Sequence, residues 1–311
     1  MSPNPYADPD AMRNAIADRL RPIAKQQGIQ LTNLQRQFAY DRLLCRIFKA
    51  EPDRWVLKGA AAILARLGPD ARHTRDIDLL SRTGTLDEAE RALNHAAALD
   101  LDDYFKFTLS PGRQIVQGEG ALRVDVLASL GVETYAKFHV DLVADHTMTG
   151  TPEPVTPLVK VDLPGLTTTD YCAYPMADHV ADKVCALLET HRRASGLTEP
   201  STRVRDLVDL VTFAHTISVK ADELRSALTS EAARRQLDLP EHFPEPPGRD
   251  WPRGYANIVR DLPKLKERQL PAAVKTVASF INPILTDIAT GQWNCDMLKW
   301  QDDGQDPMSP A

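Results

Sequence analysis

Cysteine is scarce in this sequence. Only four of the 311 residues are cysteines, Cys45, Cys172, Cys185 and Cys295, and no two of them stand at the spacing of a metal-binding pair. The scarcity argues against a disulfide framework and against a cysteine-based zinc site. We expect reduced thiols, as in a cytoplasmic protein.

Long apolar runs are also missing. No run approaches the ~20 residues needed to span a bilayer, and the N-terminal segment has neither the basic flank nor the apolar core of a signal peptide. We therefore expect no membrane partner. Hydrophobic residues make up 43% of the chain and charged residues 26%, as in soluble globular proteins with a sizeable core.

The sequence has no excess of positive charge. Its formal net charge is −6, which argues against a generally basic protein that coats nucleic acid. A local basic groove remains compatible with this value. Four segments of the helical C-terminal half can contribute to such a groove, or can equally be scattered surface charges: Arg192-Arg193, Arg203 with Arg205, Arg234-Arg235, and Lys264 with Lys266 and Arg268.

The most informative stretch runs from Trp55 to Ser81. Its pattern predicts a short strand, a turn at Lys58-Gly59, a helix over 60–67 and a second strand over 74–81. The N-terminus of the helix that follows Gly59 is a site for anions, and Lys58 adds a positive charge beside it. The turn is therefore a candidate phosphate-binding site.

Two carboxylates, Asp76 and Asp78, stand two residues apart in the second strand. Because side chains alternate across a strand, both point to the same face. They repel each other unless a cation lies between them, and Mg²⁺ prefers oxygen ligands. Taken alone, the pattern is more typical of two solvated carboxylates. Beside a phosphate-binding turn, it indicates the combination that nucleotidyl transfer requires.

Two later segments carry charged residues on apolar helices. Lys183 lies within Ala181-Asp-Lys-Val-Cys-Ala186, and Asp206 within Arg203-Val-Arg-Asp-Leu-Val-Asp209. An interior lysine is rare unless a carboxylate or a phosphate pairs with it. On periodicity alone, a lysine that extends to the surface and an Arg203–Asp206 pair across one turn explain these residues as well.

Together these segments resemble a known family. Lys58-Gly59, Arg72-His-Thr-Arg-Asp-Ile-Asp78 and the two helical segments are similar to the motifs of the AbiEii/AbiGii nucleotidyltransferase toxins of bacterial toxin–antitoxin and phage-defence systems. The resemblance covers roughly residues 31–214 and implies the DNA-polymerase-β-like fold. One departure is that Ala60, Ala61 and Ala62 follow Gly59, where the family commonly has a further glycine or a serine.

The resemblance implies a reaction and a site. The reaction moves a nucleoside monophosphate from an NTP, with two Mg²⁺ ions, to an RNA acceptor such as the 3′ end of tRNA, and a cognate antitoxin is the implied partner. The implied residues are the metal ligands Asp76, Asp78 and Asp125, the nucleotide-binding Lys58, Gly59 and Arg75, and the catalytic Asp76, Asp78, Lys183 and Asp206.

Asp125 is chosen as the third metal ligand because it is the lone carboxylate of the alternating segment 121–128. An aspartate that faces water at a strand edge explains the pattern equally well. As a ligand, Asp125 would lie on the strand beside the one that carries Asp76 and Asp78.

Thr74 stands two residues before Asp76, so on a regular strand its hydroxyl shares the metal-facing side. Strand propensity explains a β-branched residue there. The alternative hypothesis is a regulatory phosphorylation site, where a phosphate would place up to about two negative charges beside Asp76 and Asp78.

The predicted fold class is α/β (α+β). We expect an N-terminal arm and helix over 1–30, a nucleotidyltransferase core with a mixed sheet and flanking helices over 31–170, a helical C-terminal domain over 171–300 and a disordered tail over 301–311.

Thr32 is expected to cap the second helix, and Arg36, Arg42 and Arg46 to lie on its solvated face. Later helices are predicted over 176–194, 203–216, 218–231 and 254–262, and over 270–292 with an interruption at Pro283. The Pro-rich segment 149–170 is expected to be irregular, with one short strand near 158–163.

Two other functions stay open from the sequence. One is a nucleotidyltransferase that modifies a small molecule or a protein hydroxyl. The other is a catalytically degenerate module that binds a nucleotide or a partner protein.

Overall fold

The structure is a computed structural model that describes residues 5–115, 120–144, 147–192, 198–246 and 248–302. These residues divide into two compact units. The first contains the described residues of 1–69, 73–147 and 152–174, and the second those of 70–72, 148–151 and 175 onward. Most of the predicted tail lies outside the described residues.

The first unit contains four helices and eight strands within its described part. The helices are α1 (Pro9–Gln27), α2 (Leu31–Ala50), α3 (Gly59–Leu67) and α4 (Leu86–Ala97). The strands are β1 (Trp55–Lys58), β2 (Asp76–Ser81), β3 (Phe105–Leu109), β4 (Arg113–Gln114), β5 (Ala121–Leu130), β6 (Glu133–Ala144), β7 (Glu153–Val155) and β8 (Tyr171–Ala173).

These strands form one mixed sheet in the order β3-β5-β6-β2-β1-β8-β7, with β4 paired to β5. The central pair β2 and β6 is parallel, whereas β1 and β5 run antiparallel to their neighbours β2 and β6. In β5, buried and half-buried residues alternate without interruption, so one face carries the core and the other the polar residues. Helices α2 and α4 pack on the core face, as the predicted mixed sheet with flanking helices requires.

The second unit is mainly helical, as predicted. Its helices are α5 (Met176–Leu188), α6 (Val204–Thr216), α7 (Ala221–Arg235), α8 (Trp251–Val259) and α9 (Leu270–Leu285). Two hairpins accompany them, β9 (Thr190–Arg192) with β10 (Thr198–Pro200), and β11 (Gln292–Asn294) with β12 (Lys299–Gln301). No helix in the described ranges combines the length and the apolar character needed to cross a membrane.

Several predicted boundaries are wrong. The helix predicted to reach residue 194 ends at Leu188, and the one predicted to reach 292 ends at Leu285, because each chain segment turns into a short hairpin. Strand β7 lies earlier than the short strand expected near 158–163, and β8 extends the sheet beyond residue 170. Helix α2 begins after Gln30 rather than at a Thr32 cap.

Two of the three arginines of α2, Arg42 and Arg46, are buried, contrary to the expected solvated face, whereas Arg36 is half-buried. The side chains of Arg42 and Arg46 are about 1% exposed, and both pair with Asp103, which is 2% exposed. Arg46 also donates to the carbonyls of Leu99 and Phe105, at 2.8 and 3.1 Å. Burial opposes the ionisation of Asp103, but the hydrogen bonds and charges of the two guanidinium groups outweigh it and hold its pKa below the usual range.

We predict that Asp103→Asn lowers the free energy of unfolding at pH 7 by about 3–5 kcal/mol, because two buried guanidinium groups lose their counter-charge. Since the folded pKa of Asp103 is depressed, its contribution is complete above the unfolded value and is lost as the pH falls below about 4. Denaturant titrations at pH 7 and at lower pH test this. Asp53→Asn, at an exposed position, is the control, and an equal effect of both substitutions would contradict the prediction.

Candidate active site

The predicted turn after β1 brings backbone and carboxylate into close contact. Gly59 has a φ of +59°, and a Cβ built on it would lie 1.8 Å from Oδ2 of Asp78. Only glycine fits both the backbone conformation and the space. Ala60, Ala61 and Ala62, where the family commonly has a glycine or serine, are buried at the start of α3, so a hydroxyl there would lie inside the core.

Lys58 is placed beside Asp78 by the sheet. It is the direct cross-strand partner of Asp78 in the antiparallel β1–β2 pair. Its side chain is 9% exposed, and its Nζ lies 4.2 Å from the ring centroid of Tyr174. An ammonium held over an aromatic face keeps its position and its charge. Lys58, Gly59 and Asp78 are thus brought together as predicted.

The neighbouring strand β6 adds a third carboxylate. In the parallel β2–β6 pair, Asp76 faces His139 and Asp78 faces Asp141. Arg123 holds Asp141 with two hydrogen bonds of 2.7 and 2.6 Å. The hydrogen bond to Asp141 raises the pKa of Arg123 against the effect of burial, and the charges of Asp76 and Asp78 act in the same direction.

Asp125 is not on the strand beside β2, so this part of the prediction is wrong. Strand β6 lies between β5 and β2, and Asp125 pairs with His139 rather than with a residue of β2. Oδ1 of Asp125 lies 3.1 Å from Nη2 of Arg113 and 2.5 Å from Nδ1 of His139. Arg75, predicted to bind the nucleotide, is exposed and lines a cavity together with Asp125 and His139.

Asp76 and Asp78 supply a donor set that fits Mg²⁺. Across the described residues, no group of three His, Cys, Asp or Glu side chains is arranged to hold a metal ion. Mg²⁺ in enzymes that act on nucleotides usually takes one or two carboxylates, and water and substrate phosphates complete its coordination. Two half-buried carboxylates on one face, with Asp78 directly against the Gly59 turn, match that pattern.

Thr74 lies just before β2, which begins at Asp76 rather than at residue 74. Its hydroxyl is buried and donates a hydrogen bond to the carboxylate of Asp76. Tyr40 donates to the Thr74 carbonyl at 3.4 Å. Regulatory phosphorylation of Thr74 stays a prediction, and because the residue is 5% exposed it requires this segment to open first.

In the second unit, Lys183 and Asp206 meet as the motifs predicted. Nζ of Lys183 lies 2.6 Å from Oδ1 of Asp206 and 3.0 Å from Oδ2 of Asp209. Arg72 holds Asp209 with two hydrogen bonds of 2.8 and 3.0 Å. Burial works against the charge of Lys183, but the two carboxylates outweigh it and raise the pKa of its ammonium group. The lysine does not extend to the surface.

Most basic residues of the predicted groove in the helical half have acidic or backbone partners. Arg234 pairs with Glu231, and Arg235 bonds Glu231, Asp182 and Glu189 at 2.6–2.8 Å. Three further cations have partners: Arg203 with Asp206, Lys264 with Asp70, and Arg268 with the carbonyl of Leu262. Arg205 is exposed on α6, and Lys266 lines a small cavity of about 210 Å³. The side chains of Arg192 and Arg193 lie outside the described set.

A family model confirms the predicted resemblance. The model, described as nucleotidyl transferase AbiEii toxin of a type IV toxin–antitoxin system, matches residues 42–279. The chain belongs to the AbiEii family. It is therefore a nucleotidyltransferase toxin of a type IV toxin–antitoxin system, and the family implies an NTP as substrate and an antitoxin as partner. A search of the curated proteins found no match.

One solved structure shares the fold of this AbiEii protein, and a second resembles it at a lower TM-score. MenT4, a nucleotidyltransferase toxin from Mycobacterium tuberculosis H37Rv, is 15% identical, with a TM-score of 0.50 over 89% of this chain and 98% of that one. JHP933 from Helicobacter pylori is 14% identical, with a TM-score of 0.42 over 82% of this chain and 93% of that one. At these identities the likeness concerns the fold alone.

Sequence reasoning missed Asp141, Asp209 and Arg72 as parts of these clusters. Asp141 stands in an alternating strand, just as Asp125 does, and only the strand order separates the two. Asp209 follows Asp206 by three residues on α6, and this spacing alone places both carboxylates on one helix face.

We predict that Gly59→Ala abolishes nucleotidyl transfer and weakens the binding of divalent metal ions, because the new methyl group would displace the Asp78 carboxylate. Gly28→Ala is the matched control: Gly28 also has a positive φ, of +67°, but nothing lies within 4 Å of its added Cβ. Both variants carry the backbone strain of about 1–2 kcal/mol. Transfer assays and titration with Mn²⁺ separate them, and equal behaviour of the two variants would refute the role of the close contact.

We predict that Lys183→Ala and Asp206→Ala fold but are inactive. After Lys183→Ala, Asp209 retains Arg72 and Asp206 retains Arg203; after Asp206→Ala, Lys183 retains Asp209. Asp209→Ala, in contrast, removes a partner from Lys183 and from Arg72 and is expected to cost about 3–5 kcal/mol of stability. Thermal unfolding and transfer assays on all three variants test this. Full activity of both the Lys183 and the Asp206 variants would exclude them from the reaction.

Proposed function

We propose that this AbiEii toxin transfers a nucleoside monophosphate from an NTP, with Mg²⁺, to an RNA acceptor, and that the 3′ end of tRNA is the first acceptor to test. The observation that carries the proposal is the contact between the Gly59 turn and Asp78, beside Asp76 on the same strand. It joins a phosphate-binding turn to a carboxylate pair, which is the combination that nucleotidyl transfer requires.

Under this proposal, β1 and α3 bind the phosphates of the NTP, and β2 binds the metal ions. Lys58 and the backbone N–H groups at the start of α3 hold the phosphates of the NTP. Asp76 and Asp78 would hold two Mg²⁺ ions together with phosphate oxygens. When bound, the metal lowers the pKa of the acceptor hydroxyl and neutralises charge on the phosphates.

Asp141 is the third carboxylate of the proposed site, in place of Asp125. It faces Asp78 across the β2–β6 pair, whereas Asp125 is a further strand away. In the reaction, the acceptor oxygen bonds to the α-phosphorus, the bond between the α-phosphorus and the bridging oxygen breaks, and pyrophosphate leaves. Under this proposal Asp141, which accepts hydrogen bonds from Arg123, receives the hydroxyl proton.

Lys183 and Asp206 act in the same reaction under this proposal. Their support is the family motif and the buried cluster of ion pairs that they form with Asp209 and Arg72. Such a cluster holds an ammonium group in one position, which suits a group that balances negative charge on a triphosphate. The same motif and the retained Asp76 and Asp78 favour an enzyme over a degenerate binding module.

The proposal is tested by incubating the protein with total RNA and each α-labelled NTP in turn, with Mg²⁺ or with EDTA. Label is expected in RNA of tRNA size, only with Mg²⁺, and not from γ-labelled NTP. Asp76→Asn, Asp78→Asn and Asp141→Asn are expected to abolish transfer, whereas Asp125→Asn retains it because Asp125 lies two strands from β2. Label confined to the protein or to a small molecule would replace the RNA acceptor with that class.

A further inference from the structure

One cavity of the first unit is lined by cations that the proposed reaction has not used. The cavity has a volume of about 650 Å³, within the range of ligand sites. Four cations line it, Arg36, Arg75, Arg113 and Lys137, together with Asp125 and His139. We name it the cationic cavity.

The charges of this cavity are mostly uncompensated by the protein. Among the residues that the structure describes, no partner forms an ion pair or a hydrogen bond with the side chains of Arg36, Arg75 and Lys137. Arg113 shares Asp125, which also contacts His139. Four cations thus face one carboxylate in a protein whose net charge is −6. Cations brought together without partners repel one another, and a polyanionic ligand removes that repulsion.

The cavity adjoins the catalytic carboxylates. Arg75 immediately precedes Asp76, and His139 is the cross-strand neighbour of Asp76, so two lining residues are direct neighbours of that carboxylate. Asp125 pairs with His139 on the next strand, so Asp76, His139 and Asp125 form a row across the sheet. A ligand in the cavity would therefore extend from the edge of the sheet toward Asp76.

The position of the cavity relative to the phosphate-binding turn suits the acceptor rather than the NTP. Lys58 and Gly59 lie on the β1 side of β2, whereas His139, Lys137 and Asp125 lie on β6 and β5, on the other side. In phosphoryl transfer the attacking and leaving oxygens stand on opposite sides of the phosphorus, roughly in line. If the NTP phosphates occupy the β1 side, the acceptor approaches from the side of the cationic cavity.

We propose that the cationic cavity binds the backbone phosphates of a single-stranded RNA acceptor next to its 3′-terminal hydroxyl, with Arg36, Arg75, Arg113 and Lys137 as the phosphate contacts. This inference rests on the proposed function and assigns its acceptor subsite. Arg75 accordingly contacts the acceptor rather than the NTP. The unpaired cations favour a polyanion over a neutral small molecule, and half-buried Leu109 and Leu127 offer apolar contact to a base.

The test uses the double variant Arg113→Gln/Lys137→Gln, because these two cations are exposed and stand apart from Asp76. The control is Lys49→Gln/Arg91→Gln, which removes the same charge from exposed positions on α2 and α4 that do not line the cavity. Binding of a fluorescent single-stranded RNA oligonucleotide is measured without NTP across a range of salt concentrations, and NTP binding is measured separately.

The double variant is expected to bind the oligonucleotide about tenfold more weakly than the control at moderate salt. A plot of log affinity against log salt concentration has a negative slope. The magnitude of this slope is expected to decrease by about 1.4, since each lost phosphate contact to a single strand removes about 0.7. NTP affinity is expected to stay unchanged in both variants.

The following outcomes would overturn the assignment. Equal RNA affinity of the double variant and the control would show that the strand does not bind in the cavity. A fall in NTP affinity instead would make the cavity part of the nucleotide site. If the wild type labels RNA and the double variant labels it equally well, this inference fails and the proposed function stands, whereas a wild type that neither binds nor labels RNA overturns both.

Discussion

The geometry of the site depends on one steric constraint, the close approach of Gly59 to the carboxylate of Asp78. A side chain at position 59 would lie 1.8 Å from Oδ2 of Asp78, so the backbone of the turn and the carboxylate share a space that has no room for a Cβ. The buried alanines that follow continue the same arrangement, because small side chains let α3 pack against β2. Substrate phosphates at the N-terminus of α3 would therefore lie next to the carboxylate.

Strand order explains why Asp141, rather than Asp125, lies on the strand beside β2. Both residues are aspartates in strands with strict alternation, and β5 follows β2 in the chain before β6 does. The alternation of residues along a strand shows which face of the sheet a side chain occupies, but it does not show which strands lie next to each other in the sheet. Here the later strand β6 inserts between β5 and β2 and runs parallel to β2, so the carboxylate that reaches Asp78 comes from the more distant part of the sequence.

Much of the fold follows from periodicity, and its failures have two physical causes. Lys183 and Asp206 were identified on the right helices because α5 and α6 each span several turns. Strands β8 to β12 have three residues each, too few for alternation to show, and all five were missed. Arg42 and Arg46 were placed in solvent because their partner Asp103 lies more than fifty positions later, and pairing at that range leaves no local signal.

For the binding of an anionic acceptor, the local distribution of charge on the protein matters more than its net charge. Charges more than about 8–10 Å from a bound phosphate are largely screened at physiological salt, so a strand in the cationic cavity would experience the four nearby cations rather than the overall value of −6. The arginines of α7 show the opposite case, because Arg234 and Arg235 are occupied by Glu231, Asp182 and Glu189. A guanidinium that already holds a carboxylate must break that pair before it can bind a phosphate. The count of basic residues in the helical half therefore overstates how many of them are available to a bound anion. The cationic cavity, in which the side chains of Arg36, Arg75 and Lys137 have no partner among the described residues, is the stronger candidate for an anion site.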